Sequence, residues 1–265
     1  MNEKIEELCR QLEKEKKIRI LFAVENGSRA WRMSSNDSDY DVRFVYARPV
    51  EDYVTINKQA DVIEAYFNEK CERIDSASGA LIDFVGFDVF KFAKMLSSSN
   101  PTTIEWLVSD IVYYGKQNKV FREFAVKNFN HISLYHHYKS MCRQNYLKYL
   151  KSGNEATYKK YLYAYRGLVN AKWVVHKKTV PPIIFTEALE GMKKVLPSPV
   201  YKKINEIITL KSAGREKEIV QNIVTLDSYL EDFLKDDSDA PKEKSHVTIH
   251  ELDKELKNII LKKKN

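Results

Sequence analysis

Glycine and proline are scarce, 8 and 7 in 265 residues. So few chain breakers exclude a turn-rich all-β architecture and make long helices the dominant expectation. Cysteine is scarcer still: Cys9, Cys71 and Cys142 lie far apart and are odd in number. They form no paired metal motif and cannot all pair within one chain, so neither a zinc module nor a disulfide scaffold is expected, and a reducing cytoplasm is. No apolar run approaches the ~20 residues that a membrane span needs. The opening MNEKIEELCRQLEKEKK is amphipathic and lacks the apolar centre of a signal peptide. The sequence also shows no internal repeat.

What is present is core material. Hydrophobic residues make up 43% and aromatics 12%, enough to build a packed interior and to exclude disorder. The 44 basic residues exceed the 37 acidic ones, for a formal net charge of +7. That balance suits a polyanionic partner such as RNA, DNA or a nucleotide, although mixed charges of this kind are also the ordinary surface of a lysine-rich protein.

The hydrophobic period changes once along the chain. Residues 3–16 read as a helix with Ile5, Leu8, Cys9 and Leu12 on one face. IRILFAVENGS reads as a buried strand that runs into a turn at Asn26-Gly27. RAWRMSSND reads as a loop or short helix. DYDVRFVYA alternates, with Val42, Phe44 and Tyr46 on one face and Asp39, Asp41 and Arg43 on the other. Residues 62–68 and 80–89 are two further strands. From Asp88 the period is helical, with a break at Asn100-Pro101 and Asp88 placed as an N-cap. Nearly everything from about 119 onward reads as helix, with a stop signal at Gly153. The polar stretch 236–246 reads as a linker. The last segment opens with Thr248 and Glu251 at capping-box spacing and ends in a basic LKKKN.

The expected fold class is therefore α+β: a small mixed sheet flanked by helices, followed by a C-terminal all-helical domain. The expected divisions are a catalytic domain at 1–115, a helical domain at 116–235, a linker at 236–246 and a C-terminal helix or tail at 247–265.

The chemistry concentrates in GSRAWRMSSNDSDYD, residues 27–41. Asp39 and Asp41 stand two apart at the start of a strand, so both carboxylates share a face, ~7 Å or less from one another. Two carboxylates this close repel unless a cation lies between them. Hard oxygen donors in such a pair suit Mg²⁺ or Mn²⁺, held together with substrate phosphates. Gly27 lets backbone N–H groups approach a phosphate, a helix starting there aims its positive end at the anion, and Ser28 adds a hydroxyl donor. The plain alternative, a solvated acidic turn, does not account for the strand and the Gly-Ser pair that precede it. A two-metal site needs a third carboxylate. Asp83 and Asp88 are the candidates. Asp88 has a structural role as a cap, whereas Asp83 lies within the apolar strand Leu81-Ile82-Asp83-Phe84-Val85, where an acid is costly without a cation or donors, so Asp83 is preferred.

Gly27-Ser28, then Asp39-Tyr40-Asp41, then a lone strand aspartate resembles the signature of the polymerase-beta nucleotidyltransferase superfamily. The further segments ENGSRAW, DSDYDVRFVY, DFVGFDVFKFAKML, NPTTIEWL and YRGLVNAKW, in that order over about residues 20–190, resemble the RNA-repair-pathway polymerase-beta family, RlaP. The resemblance implies a metal-dependent transfer of a nucleoside monophosphate from a nucleoside triphosphate to an acceptor hydroxyl, with pyrophosphate leaving. It implies metal ligation by Asp39, Asp41 and Asp83, with Asp83 also helping to activate the acceptor, and β- and γ-phosphate contacts from Gly27 and Ser28. RNA is the expected acceptor. A protein or small-molecule acceptor, or a non-catalytic nucleotide- or RNA-binding module, are the other readings. Arg29, Arg43 and Lys91 also match family positions and serve either phosphate contacts or structural ion pairs. One departure is Arg32, where the family commonly has glycine after the Ala-Trp pair.

Two other features have ordinary explanations. His136 and His137 are adjacent on a helix and point apart, which argues against joint metal ligation. In YKKYLYAYRGLVNAKW, Leu162, Tyr165, Val169 and Trp173 share one face as core residues. Lys159, Lys160, Arg166 and Lys172 are then expected to be available to a ligand.

Overall fold

A computed structural model describes residues 1–35, 38–151, 156–215, 218–242 and 248–261. The Gly153 stop signal, the far end of the 236–246 linker and most of the LKKKN tail lie outside the described residues.

Helix α1 (Asn2–Lys16) forms because its apolar residues recur every three to four positions, and Ile5, Leu8, Cys9 and Leu12 are the buried ones. Burying four such side chains contributes roughly 6–10 kcal/mol before the entropy of ordering them. The helix stops where Lys17 turns left-handed, with φ 51°. The chain then enters β1 (Arg19–Asn26), α2 (Gly27–Ala30), β2 (Tyr40–Ala47), α3 (Val50–Tyr53), β3 (Val62–Phe67), β4 (Arg73–Ile74) and β5 (Ile82–Asp88). Helices α4 (Val89–Ser97) and α5 (Pro101–Val108), strand β6 (Val112–Gly115) and helix α6 (Lys119–Lys127) follow. Asp88 caps α4, accepting from the Phe90 N–H at 2.9 Å, as its position in the sequence predicts. Asn100 caps α5 and Pro101 occupies its first turn, where a missing N–H costs nothing.

The strands make one six-stranded sheet in the order β4-β3-β5-β2-β1-β6. Every neighbouring pair is antiparallel except β2 and β5. One sheet face packs against α1, with Ala23, Phe44, Ile63 and Phe84 in the shared cluster. Phe22, which alternates to the other face of β1, meets Phe92 of α4 edge-on at 5.9 Å, and Phe92 stacks on Trp106 of α5 at 5.9 Å. Coverage of both faces explains why β1 reads as an unbroken apolar run rather than an alternating one.

The second half is helical: α7 (His131–Asn145), a π-helical turn (Tyr146–Leu150), α8 (Tyr158–Lys177), α9 (Phe185–Gly191), α10 (Ser198–Ser212) and α11 (Val224–Lys235). Gly167 sets the closest approach of α7 and α8, since a Cβ there would lie 2.7 Å from the Cys142 backbone nitrogen. A final helix, α12 (His250–Leu261), buries Leu252.

The chain divides into two compact units, Met1–Ala30 with Ser38–Phe129 and Val247–Asn265, and Trp31–Asp37 with Asn130–His246. The boundary after the sheet thus falls at 129/130, where 115/116 was expected. The segment from Trp31 goes with the helical unit and the C-terminal helix with the first. Trp31 is anchored by its neighbours: its carbonyl accepts from the Phe185 N–H at 3.2 Å, and the Arg166 guanidinium stacks 3.6 Å over its ring. Arg166 is therefore not available to a ligand, and it is only 4% exposed. Lys172 is likewise engaged, 3.7 Å from Asp239. The start of the expected linker is fastened rather than loose, because the buried Lys139 Nζ donates to the Asp236 carbonyl and to Asp237 Oδ1, the latter at 2.7 Å. Leu162, Tyr165 and Val169 are buried and Trp173 is half-buried.

Candidate active site

Three strands deliver one row of polar side chains. Asn26 ends β1 and is the register partner of Asp41 near the start of β2; Asp41 is in turn the partner of Asp83 on β5. Residues aligned in this way share a face of the sheet. Asp83 is 42 positions from Asp41 in sequence, and the parallel β2–β5 pairing alone brings them side by side.

Arg43, two residues beyond Asp41, lies on the same face. Its Nη2 stands 2.8 Å from Asp41 Oδ1 and 3.0 Å from Asp83 Oδ2, and its Nη1 donates to the Asp83 carbonyl at 2.8 Å. The guanidinium offsets the repulsion of two adjacent carboxylates and holds them in one plane. Arg43 thus makes the ion pair that is one of the two roles open to it. Two acceptors in the row remain buried without a hydrogen-bond partner, Asp83 Oδ1 and Asn26 Oδ1. Orphan acceptors of this kind are costly, and their occurrence in one row marks a place built to receive a donor or cation.

The loop after β1 closes on the row. Gly27 has φ +64°, and a Cβ on it would lie 2.0 Å from Asp41 Oδ2. Only glycine both adopts the left-handed conformation cheaply and admits the carboxylate this close. Ser28 beside it is buried, at 7% exposure. Arg29 secures the approach to β2: its Nε donates to the Asp39 carbonyl at 3.1 Å, its Nη2 to the Ser38 carbonyl, and its guanidinium lies 3.9 Å over the Tyr40 ring. Asp39 is exposed and stands one residue ahead of β2. Arg32 has φ +55°, a conformation that favours glycine, and the fold accommodates arginine there.

Lys91 is not part of this row. It pairs with Asp61 at 3.1 Å, and its helix α4 follows Asp88, the register partner of Tyr46 at the other end of β2 and β5. The third-carboxylate alternatives are also separated: Asp83 stands in the row and Asp88 at the opposite end, capping α4.

One residue of the site, the glutamate that opens ENGSRAW, has no role that its motif assigns. Glu25 is fully buried; its Oε1 accepts from the Asp41 N–H at 2.9 Å and its Oε2 from the Tyr113 hydroxyl at 2.5 Å. Its signals in the sequence are its place in ENGSRAW and an acid near the end of an otherwise apolar strand. Burial is the main influence and pushes the Glu25 carboxyl up to about 7, against the lowering effect of the Tyr113 and Asp41 hydrogen bonds. A carboxyl whose folded pKa is raised keeps its proton in the folded state after the unfolded chain has released it. Stability therefore falls as pH rises from about 4.5 to about 7, by roughly 2–4 kcal/mol in all, and is flat on either side. Glu25→Gln removes the titration while keeping an acceptor for Asp41. In urea denaturation with chelator present, the variant is expected to match the parent at pH 4.5 and exceed its stability at pH 8. Equal stability at pH 8 would show that Glu25 carries no such penalty.

The donors suit a divalent ion. Carboxylate oxygens from Asp39, Asp41 and Asp83 are hard ligands, Asp83 Oδ1 is an orphan, and Gly27 lets the Asp41 carboxylate lie close against the loop backbone. Among the described residues no three His, Cys, Asp or Glu side chains are already gathered at metal-binding geometry. In the row itself the charge between Asp41 and Asp83 is supplied by Arg43.

The family model described as the RNA repair pathway DNA polymerase beta family, RlaP, matches residues 1–258. The chain belongs to that family. The match takes in nearly the whole length of this RlaP-family chain, beyond the motif-bearing segments. An uncharacterized Bacillus subtilis (strain 168) protein, YcgL, is 32% identical over 246 residues, covering 92% of this chain and 89% of its own. The crystal structure of a nucleotidyltransferase-like protein from Exiguobacterium sibiricum 255-15 aligns over 87% of this chain and 74% of its own, at 12% identity and a TM-score of 0.32. Among the described residues no helix is long and apolar enough to cross a membrane.

Proposed function

We propose that this protein is a metal-dependent nucleotidyltransferase that moves a nucleoside monophosphate from a nucleoside triphosphate to a hydroxyl of RNA. The observation that carries the reading is the in-register row of Asn26, Asp41 and Asp83, closed by Gly27, with two orphan acceptors in it. RNA as the acceptor draws on the family description and on the net charge of +7.

Asp39, Asp41 and Asp83 would hold Mg²⁺. When bound, such ions neutralise phosphate charge and lower the pKa of a coordinated hydroxyl. The remaining work belongs to the chain. Gly27 and Ser28 present a backbone N–H and a hydroxyl to the β- and γ-phosphates. Arg43 keeps the Asp41 and Asp83 carboxylates side by side, and Arg29 fixes the chain that carries Asp39. Asp83 orients the acceptor hydroxyl through its orphan oxygen and takes up its proton. The acceptor oxygen forms a bond to the α-phosphorus as the bond from that phosphorus to the leaving pyrophosphate breaks. Catalysis of this kind is positioning plus charge stabilisation.

The test supplies the purified protein with each α-labelled nucleoside triphosphate in turn, Mg²⁺ and total cellular RNA, beside an Asp39→Ala/Asp41→Ala control. Label is expected in an RNA band and absent in the control. Label in a protein band instead would replace RNA by a protein acceptor. Triphosphate binding without any transfer would remove the support for RNA.

A further inference from the structure

The sheet unit carries a cationic cleft at the end of β2 and β5 away from the aspartate row. Tyr46↔Asp88 lies five residues along the strands from Asp41↔Asp83. At ~3.3 Å per residue that is about 16 Å along the strands. The cleft has a volume of about 440 Å³, within the usual range for small-ligand sites. Its cations come from three segments: Arg48 after β2, Lys58 in the loop after α3, and Lys91 and Lys94 on α4.

Part of the acidic charge in the cleft is already committed, and Asp88 is held by neutral donors. Asp61 pairs with Lys91 at 3.1 Å. Asp88 is 5% exposed and accepts from the Tyr53 hydroxyl at 2.7 Å and the Phe90 N–H at 2.9 Å. Among the described residues Lys58 and Lys94 have no carboxylate partner, and the Arg48 guanidinium donates to the Ala60 carbonyl, at 3.1 Å, rather than to an acid. Asp52 and the buried Asp88, whose carboxyl feels the Arg48 charge, stand against these three, and with the Lys91–Asp61 pair the cleft holds four cations to three acids, a positive balance.

The cleft also presents an aromatic surface. Phe90 is 44% exposed although it is a large apolar side chain, and its ring meets Tyr53 edge-on at 4.9 Å. Tyr53 is in turn fixed, because its hydroxyl bridges the Arg48 N–H and Asp88. An exposed ring packed on an anchored one, beside an excess of cations, suits a ligand that combines a planar ring with negative charge.

The geometry points to a second nucleotide site in this cleft, in which a base lies against Phe90 and Tyr53 and a phosphate meets Arg48, Lys58 and Lys94. The occupant is one phosphorylated nucleoside, either free in solution or as a unit of an RNA strand. The inference stands apart from the catalytic reading and places Lys91, with its partner Asp61, in the wall of this site.

The test titrates AMP, which lacks the β- and γ-phosphates assigned to Gly27 and Ser28, into the full chain with chelator present, by calorimetry. Saturable binding is expected, unchanged in Asp39→Ala/Asp41→Ala, at least tenfold weaker in Lys58→Glu/Lys94→Glu and at least about fivefold weaker in Phe90→Ala. Lys58→Ala and Lys94→Ala, singly, are milder changes and should each weaken binding with an unaltered circular dichroism spectrum. Binding that follows the aspartates instead of the lysines would overturn the site, as would no saturation up to about 10 mM AMP. Inorganic phosphate displacing AMP as well as AMP itself would overturn the nucleotide assignment, since the rings would then contribute nothing. Displacement by a short oligoadenylate at lower concentration than by AMP would identify a strand unit; the reverse would identify a free nucleotide. No label transfer by the unaltered protein, with its AMP binding intact, would count against the catalytic reading alone.

Discussion

Asp41→Asn is expected to lower nucleotidyl transfer on the order of 10³-fold or more while leaving the fold in place. The loss follows from removing a negative charge at the centre of the row, where Asp41 has Asn26 on one side and Asp83 on the other. The fold should tolerate it. The amide oxygen introduced by the substitution can still accept from Arg43, and Arg43 keeps its 3.0 Å contact with Asp83. The Arg43–Asp41 pair is itself partly solvated, with the Asp41 side chain 32% exposed. Screening therefore limits its contribution to under about 1 kcal/mol. Single-turnover transfer and a thermal melt, measured side by side, check both halves. Retained transfer would remove Asp41 from the catalytic set, and a collapse of the melt would make it a folding residue first.

Gly27→Ala is expected to damage both stability and transfer. The backbone at φ +64° costs a residue with a Cβ about 1–2 kcal/mol. The Cβ also lands 2.0 Å from Asp41 Oδ2, which cannot stay where it is. Forcing the carboxylate aside adds a further ~1–3 kcal/mol of overpacking strain. Together these lower the melting temperature of the sheet unit by roughly 5–15 °C. Because the displaced group is a proposed metal ligand, transfer should fall in the same variant even well below its melting temperature. A melt unchanged from the parent would mean that the loop and Asp41 are not as close as the structure places them.

Much of the fold is legible in the residues alone. Helix α1 and the helix pair α4–α5 follow from apolar residues at spacings of three and four and from Asp88, Asn100 and Pro101 at the helix starts. Strand β1 is visible as an apolar run and β2 by its alternation. Strand β6 is not legible: Val112–Gly115 is too short to show a period, and its pairing with β1 is a long-range matter. The expected domain boundary falls short for a related reason. Helix α6 has the periodicity of any amphipathic helix, and nothing local reveals that it packs with the sheet unit. Lys91 resembles a phosphate ligand because a motif records order along the chain, whereas β5 carries the chain away from the aspartate row before α4 begins.

Local sequence was enough to put Asp41 on the polar face of a strand, a glycine and a serine ahead of it, and a further acid, Asp83, in an apolar strand, because strand period and turn chemistry act over a few residues. It took the folded chain to set Asp83 beside Asp41, to join them through Arg43, to support the row with Glu25, and to turn Lys91 and Asp88 towards a different cleft. The physical reason is that strand register and direction come from packing both faces of the sheet, a balance summed over many distant side chains that no local spacing encodes.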